Sequence, residues 1–316
     1  SLTYDKHLLY LNLEGKTPTQ KADHWSIYQI SKIIPERKLI KLDASNGKLI
    51  WKVENNKKGA DTFANKVSFM TSPVIWDKNL YVGATELTGL FNSYVVAVNP
   101  TNGKIKWKTL LGSAQQELNM FGRPVKESIG SNITIAHGCL YYLNNLGSFA
   151  SVNPTNGQIN WLFLYDRIPL SNYTFFRTIY RQSSWYNNPV LACGNNIYFA
   201  PLDSKYVYCL DAFTGKQKWK KRRNFSDKYL LAATKNKVFI GGKSIRILDV
   251  NTGNLIKKIY FSGKVEGLGI VTDQYLYYPC TRGIYCVDIK SMKLVKKITW
   301  GSIVKNRGHI IANDFA

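Results

Sequence analysis

Acid–base and metal chemistry need carboxylates, imidazoles or thiols brought together, and this chain is sparing with all three. It holds 20 Asp+Glu against 43 Lys+Arg, with four His and five Cys in 316 residues. His7, His24, His137 and His309 lie too far apart for metal-ligand spacing. There is no Gly-x-Ser-x-Gly elbow for a serine nucleophile. No Cys-x-x-Cys or adjacent Cys pair occurs. Gly241-Gly242 lacks the phosphate-loop pattern of Lys-Ser after four spacers, and reads as a hairpin turn. Five cysteines cannot all pair internally, so small buried thiols are expected at Cys139, Cys193, Cys209, Cys280 and Cys286. These residues predict no catalytic site, no metal site and no cofactor.

Binding chemistry is better provided for. Residues 163–188 interleave Arg167, Arg177 and Arg181 with Tyr165, Tyr173, Phe175, Phe176, Tyr180, Trp185 and Tyr186. Tyr, Trp and Arg dominate interface energetics, and a loop with this many aromatics is not ordinarily left in water. It is either a lid folded onto the protein or a docking surface. The second basic feature is Lys220-Lys221-Arg222-Arg223. A solvated outer strand would carry such a run to block edge pairing, and an acidic partner would read it as a contact. The candidate partner-binding residues are Arg167, Tyr173, Phe176, Arg177, Tyr180, Arg181, Trp185 and Lys220 to Arg223. The formal charge of +23 favours acidic surfaces: an acidic protein, anionic lipid or nucleic acid. No sequence-specific nucleic-acid module is present, which ranks that partner below a protein.

The elements that must position these groups come from a sentence written six times. Its clearest copy is Val207-Tyr-Cys-Leu-Asp211-Ala-Phe-Thr-Gly215-Lys-Gln-Lys-Trp219. An apolar strand ends at Asp or Asn, a Gly follows four residues later, and an aromatic follows four after that. The strand-end residues are Asp43, Asn99, Asn153, Asp211, Asp249 and Asp288. The glycines are Gly47, Gly103, Gly157, Gly215 and Gly253, with Met292 at the sixth place. Asp or Asn starts a turn by bonding its own backbone two residues on, and Gly supplies the positive φ that sends the chain back. Upstream of each copy lie two more strands, such as Asp77-Lys-Asn-Leu80-Tyr-Val behind Ser72-Pro-Val-Ile-Trp76. Four strands a to d, repeated, predict an all-β propeller of four-stranded antiparallel blades, as one domain over 1–316.

The opening residues 1–5 and the tail 308–316 both read as inner strands, so six or seven blades are expected. The first four units carry extra length, at 16–31, 55–70, 112–131 and 163–188. The stretch 55–70 reads as irregular, and 115–120 as a short helical turn. No apolar run is long enough for a transmembrane helix. The chain opens at Ser1 rather than Met, which predicts a processed or trimmed start.

Asp-x-x-Thr-Gly-Lys-x-x-Trp at 211–219 resembles the signature of the PQQ-like propeller repeats. These occur in quinoprotein dehydrogenases and in the propeller lipoprotein of the bacterial outer-membrane barrel-assembly machine. The resemblance implies that Trp51, Trp107, Trp161 and Trp219 dock blade against blade, and that the usual blade number is eight. Lys257 and Lys296 stand in the tryptophan place of the last two repeats, which puts those junctions in doubt. A dehydrogenase of this family implies a carboxylate base, a metal held by Glu, Asn and Asp, and commonly a vicinal disulfide. Most strand-end Asp are employed in turns, and Asp203, Asp227, Glu266 and Glu127 are the few others that could line a channel, with no pattern that gathers them. The expected function is therefore a non-catalytic scaffold in a larger, membrane-associated and extracytoplasmic assembly. A quinoprotein enzyme is the alternative and a nucleic-acid-associated propeller the third reading.

Overall fold

The computed structural model describes residues 2–14, 36–53, 63–88, 90–115, 130–169 and 185–299. Among them are six antiparallel sheets, five of which follow the chain in order. Blade 1 is β1–β4 (Leu2–Asp5, Leu8–Glu14, Arg37–Asp43, Leu49–Lys52). A helical turn, α1 (Phe63–Lys66), leads into blade 2, β5–β9 (Val67–Phe69, Val74–Trp76, Asn79–Leu87, Leu90–Val98, Ile105–Gln115). Blade 3 is β10–β13 (Thr134–Ala136, Cys139–Leu143, Ser148–Val152, Ile159–Leu164). Blade 4 is β14–β17 (Leu191–Cys193, Asn196–Phe199, Tyr206–Asp211, Gln217–Arg222). Blade 5 is β18–β21 (Tyr229–Ala233, Lys237–Gly241, Ser244–Asp249, Leu255–Tyr260). Blade 6 is β22–β25 (Ile270–Val271, Tyr275–Cys280, Gly283–Asp288, Lys293–Thr299). The chain divides into two compact units, 1–182 and 183–316, holding three blades each.

Two expectations need correcting, both in blade 2. Residues 63–69 are not irregular: α1 and β5 occupy them, and β5 pairs with the far end of β7 (Phe69 with Ala84) while β6 pairs with its start (Trp76 with Asn79). Residues 112–115 continue β9 because β8 is long enough to pair with it as far as Leu90 and Gln115. The remainder of the expected turn at 115–120, and the tail 308–316, lie outside the described residues.

Strand burial explains the packing. Strands b and c carry apolar side chains on both faces: Leu80, Tyr81 and Val82 are all 0% exposed. A strand buried on both sides has a sheet against each face. Leu80, Val82, Val96 and Val98 pack with Tyr10 and Leu39 of blade 1. Tyr81, Val95 and Ala97 point the other way and pack with Leu140, Tyr142, Ala150 and Val152 of blade 3. In the second unit, Val207 and Cys209 meet Leu230, Val238 and Ile240, and Phe239, Ile245 and Ile247 meet Leu276 and Val287. The core of each unit is thus a series of slabs between successive blades, as in a β-propeller. Outer strands alternate instead, as β9 does from Ile105 onward.

Candidate interaction surface

The six turns are built alike. The amide at the glycine place donates to the strand-end carbonyl: Gly47 to Asp43 at 2.8 Å, Gly157 to Asn153 at 2.9 Å, Gly253 to Asp249 at 2.9 Å. The side chain closes the other half, Asn99 Oδ1 accepting from Thr101 N at 2.8 Å and Asp249 Oδ1 from Thr252 N at 2.9 Å. Met292, at φ 54°, keeps the turn, its amide 2.9 Å from the Asp288 carbonyl. These bonds hold the Asp43, Asp211, Asp249 and Asp288 carboxyls below the usual carboxylate range. The Ser45 hydroxyl, the Thr214 amide, the Thr252 amide and the Ser291 hydroxyl are the respective leading donors.

Each tryptophan stacks obliquely on a tyrosine of its own blade. Tyr10–Trp51, Tyr81–Trp107, Tyr141–Trp161 and Tyr198–Trp219 ring centroids lie 6.0, 5.9, 5.9 and 5.9 Å apart. Three of these indoles reach the turn of the next blade within their unit. Trp51 Nε1 donates to Pro100 O at 3.0 Å, Trp107 to Pro154 O at 3.1 Å and Trp219 to Val250 O at 2.7 Å. Each ring lies over that turn's glycine: a Cβ on Gly103, Gly157 or Gly253 would come within 2.9, 2.6 or 2.7 Å of it. Sequence reasoning missed the device that aims the indole. Every c–d strand pair has a register shift just before the strand-end residue, from Lys41/Leu42 through Cys286/Val287. A bulge there re-aims the side chains of the bulged pair.

Lys41 departs from the pattern. Where other repeats place Ala97, Ser151 or Cys209, it is 8% exposed and donates to Pro100 O at 2.9 Å, beside Trp51. Burial pushes its ammonium down, an effect the Asp5 carboxylate partly opposes. The cysteines are free, with Cys209, Cys280 and Cys286 buried. Burial pushes the Cys209 and Cys280 thiols up to about 12.

Of the candidate partner-binding residues, Tyr173, Phe176, Arg177, Tyr180 and Arg181 lie outside the described residues. Arg167 packs its aliphatic stem near Gly147, where a Cβ would meet its Cδ at 3.0 Å. Trp185 is 1% exposed, inside the slab with Tyr198, Val207 and Leu230. The basic run is split by strand alternation. Lys221 shares the Trp219 face and donates to Asn254 Oδ1 at 2.8 Å, while Lys220 lies over the Tyr206 ring at 4.9 Å. Arg222 is exposed, and Arg223 turns back onto the carbonyls of Asn224, Phe225 and Asp227.

That loop leads to a group the sequence did not disclose. Asp227 is fully buried and ion-paired with Arg246, which is itself 8% exposed. Its Oδ2 also accepts the Asn224 amide at 2.8 Å. No spacing rule joins Asp227 to Arg246; the loop between blades 4 and 5 brings them together.

The dehydrogenase chemistry implied by the resemblance was tested against these acids. Asp227 is neutralised by Arg246, Asp203 is fully buried, and Glu266 pairs with Lys264 at 3.2 Å. Glu127 lies outside the described residues. Among the described residues no three His, Cys, Asp or Glu converge to hold a metal. The donor set for a quinone–metal centre is not assembled by them. No helix is long and apolar enough to cross a membrane.

Comparison with solved structures agrees on the architecture. A europium-containing methanol dehydrogenase matches with TM-score 0.57 and 13% identity, over 98% of this chain and 69% of its own. BamB from Moraxella catarrhalis matches with TM-score 0.49 and 15% identity, over 77% of this chain. The match spans 64% of that BamB, less than two thirds of its length. No curated protein matches by sequence. At 13% identity the likeness to the dehydrogenase speaks to the fold alone. The family described as outer membrane protein assembly factor BamB matches residues 18–221, more than half of the chain. With its Gly-turned, Trp-docked blades, this chain belongs to that family.

Proposed function

We propose that the protein is a non-catalytic propeller scaffold, one component of a larger membrane-associated protein assembly outside the cytoplasm. The observation that carries this reading is the employment of its carboxylates. Strand-end Asp are consumed in turns, and Asp227 and Glu266 are consumed in ion pairs. None of these is poised as a base, whereas the cations outnumber the acids by more than two to one. The family membership supports the assembly role. The partner is an acidic protein met by the loops of the propeller, with 163–188 as the leading contact.

Co-purification from native membranes after mild cross-linking should recover that partner. Arg177→Ala with Arg181→Ala should weaken its capture by about tenfold, as losing two interface arginines does, and leave far-UV circular dichroism unchanged. Trp185 is unsuited to this test because its loss would empty the core. Capture at the wild-type level would remove 163–188 from the interface. The alternative, a quinoprotein dehydrogenase, is met by adding pyrroloquinoline quinone with calcium or a lanthanide. A bound quinone spectrum together with dye reduction by an alcohol would replace the scaffold reading.

A further inference from the structure

The second unit divides its charge and its exposed aromatics unevenly between two sides. In an antiparallel a-b-c-d sheet, the a–b and c–d turns fall on one side. The b–c turns and the blade-to-blade connections fall on the other. The Trp219 bond to the Val250 carbonyl sets the c–d turns of blades 4 and 5 on a common side. That turn side mixes its lysines with Asp211, Asp249, Asp273 and Asp288. The connection side does not. Each b–c turn presents one exposed cation, Lys205, Lys243 and Arg282, joined by Arg222 at the end of β17. None of these four makes an ion pair among the described residues. The acids of this side are withdrawn: Asp203 and Asp227 are 0% exposed and Glu266 is paired with Lys264.

Phe225 stands at the tip of the connection between blades 4 and 5 and is 91% exposed. The turn beneath it is fixed without any help from the ring. Arg223 donates to the carbonyls of Phe225 and Asp227 at 3.0 and 2.8 Å, and Asp227 N donates to Asn224 O at 3.1 Å. Arg246 anchors the Asp227 carboxylate from blade 5. The loop backbone rests on Gly242, where a Cβ would meet Ser226 O at 2.0 Å. Two more exposed rings share this side, Tyr260 at the end of β21 (72%) and Tyr186 (53%), the latter stacked on Tyr229 at 4.8 Å. The turn side has Phe213 (58%) as its counterpart.

We propose that the connection side of the second unit docks on an anionic lipid bilayer. Phe225 enters the headgroup layer, and Lys205, Lys243, Arg282 and Arg222 rest on lipid phosphates. A rigidly held, fully exposed phenylalanine within a basic field is the pairing of apolar insertion and electrostatic attraction that interfacial anchors use. The three b–c cations are spaced one to a blade, with Arg222 at the end of β17 as the fourth. A folded partner's hot spot would want a clustered, desolvated pocket, and a nucleic acid would want a stacking slot. Lipids diffuse to each charge and need neither. The inference is independent of the scaffold reading: each could fail with the other intact.

The test is flotation of the full chain with vesicles of phosphatidylcholine alone, and with about a third replaced by phosphatidylglycerol. The protein should float only with the second. Phe225→Ser should weaken that binding roughly tenfold. The triple variant Lys205→Ser, Lys243→Ser, Arg282→Ser should weaken it by at least about tenfold. All four positions are exposed, so circular dichroism and the urea midpoint should be unchanged. Phe213→Ser, on the turn side, should float like the wild type. Absence of flotation with the anionic vesicles would overturn the proposal, as would wild-type flotation of both connection-side variants. So would binding to poly-glutamate or oligo-thymidine that the triple variant abolishes while anionic vesicles are ignored. Those outcomes would give the surface to an acidic protein or a nucleic acid.

Discussion

The strand-end side chain is the smallest part that decides the architecture. Asp211 and Asp249 each accept from two backbone amides and a threonine hydroxyl, whereas Asn99 and Asn153 run the same turn with a neutral acceptor. The Asp carboxyls are held low in the folded state, so their contribution is present above the unfolded value of about 4. It is lost as pH falls through the lower folded value. Asp249→Asn keeps the acceptor and removes the titration. The urea midpoint of this variant should therefore fall less steeply with acidification below about pH 4 than that of the wild type. Identical slopes would mean the turn carboxylate contributes nothing to acid stability. This residue-level logic was readable in advance, because Asx chemistry is local and needs no tertiary information. The burial of Lys41 against Pro100 was not readable, since the acceptor belongs to another blade.

At the scale of the element, the informative comparison is between glycines. Gly47 and Gly157 both sit at positive φ, 72° and 77°. A Cβ on Gly47 meets nothing within 4 Å, while one on Gly157 meets Trp107 at 2.6 Å. Gly47→Ala should therefore cost only the left-handed strain of about 1–2 kcal/mol. Gly157→Ala should add an overpacking term of about 1–3 kcal/mol. Adding Trp107→Ala to both should narrow the difference, read from urea denaturation in a double-mutant cycle, and leave the part owed to the Thr109 hydroxyl, 2.7 Å from the same Cβ. Equal costs for the two glycine variants would show that the ring gives way freely. Strand identity and order were legible because the period-2 pattern and turn chemistry recur six times. Blade 2 was misread at 63–69 because it departs from the repeat. Its inner strand is broken into β5 and β6, and a single occurrence gives periodicity nothing to average. The bulges escaped notice for a different reason: an extra residue in one strand of a pair is defined only by the partner strand.

For the molecule as a whole, charge was the loudest bulk signal, yet its distribution was illegible. A net +23 says nothing about which side carries it. Only strand order sorts Lys205, Lys243 and Arg282 away from the turn aspartates, and only folding hides Asp227 against Arg246. Phe225 gave no warning either, because one phenylalanine between Asn224 and Ser226 is unremarkable until its surroundings are known.

The docking of indole on glycine has a direction. Trp51 is covered by a turn that follows it in the chain, and so are Trp107 and Trp219. A polypeptide emerging from the ribosome N-terminus first would therefore carry one naked ring at its growing end, sheathed only when the succeeding hairpin arrives. We predict that, with every other tryptophan replaced by phenylalanine, a chain stopped at residue 115 shows Trp107 emission shifted to the red, and that extension to residue 169 moves it back. A spectrum indifferent to the stopping point would mean that the hand-over from blade to blade leaves no trace during synthesis.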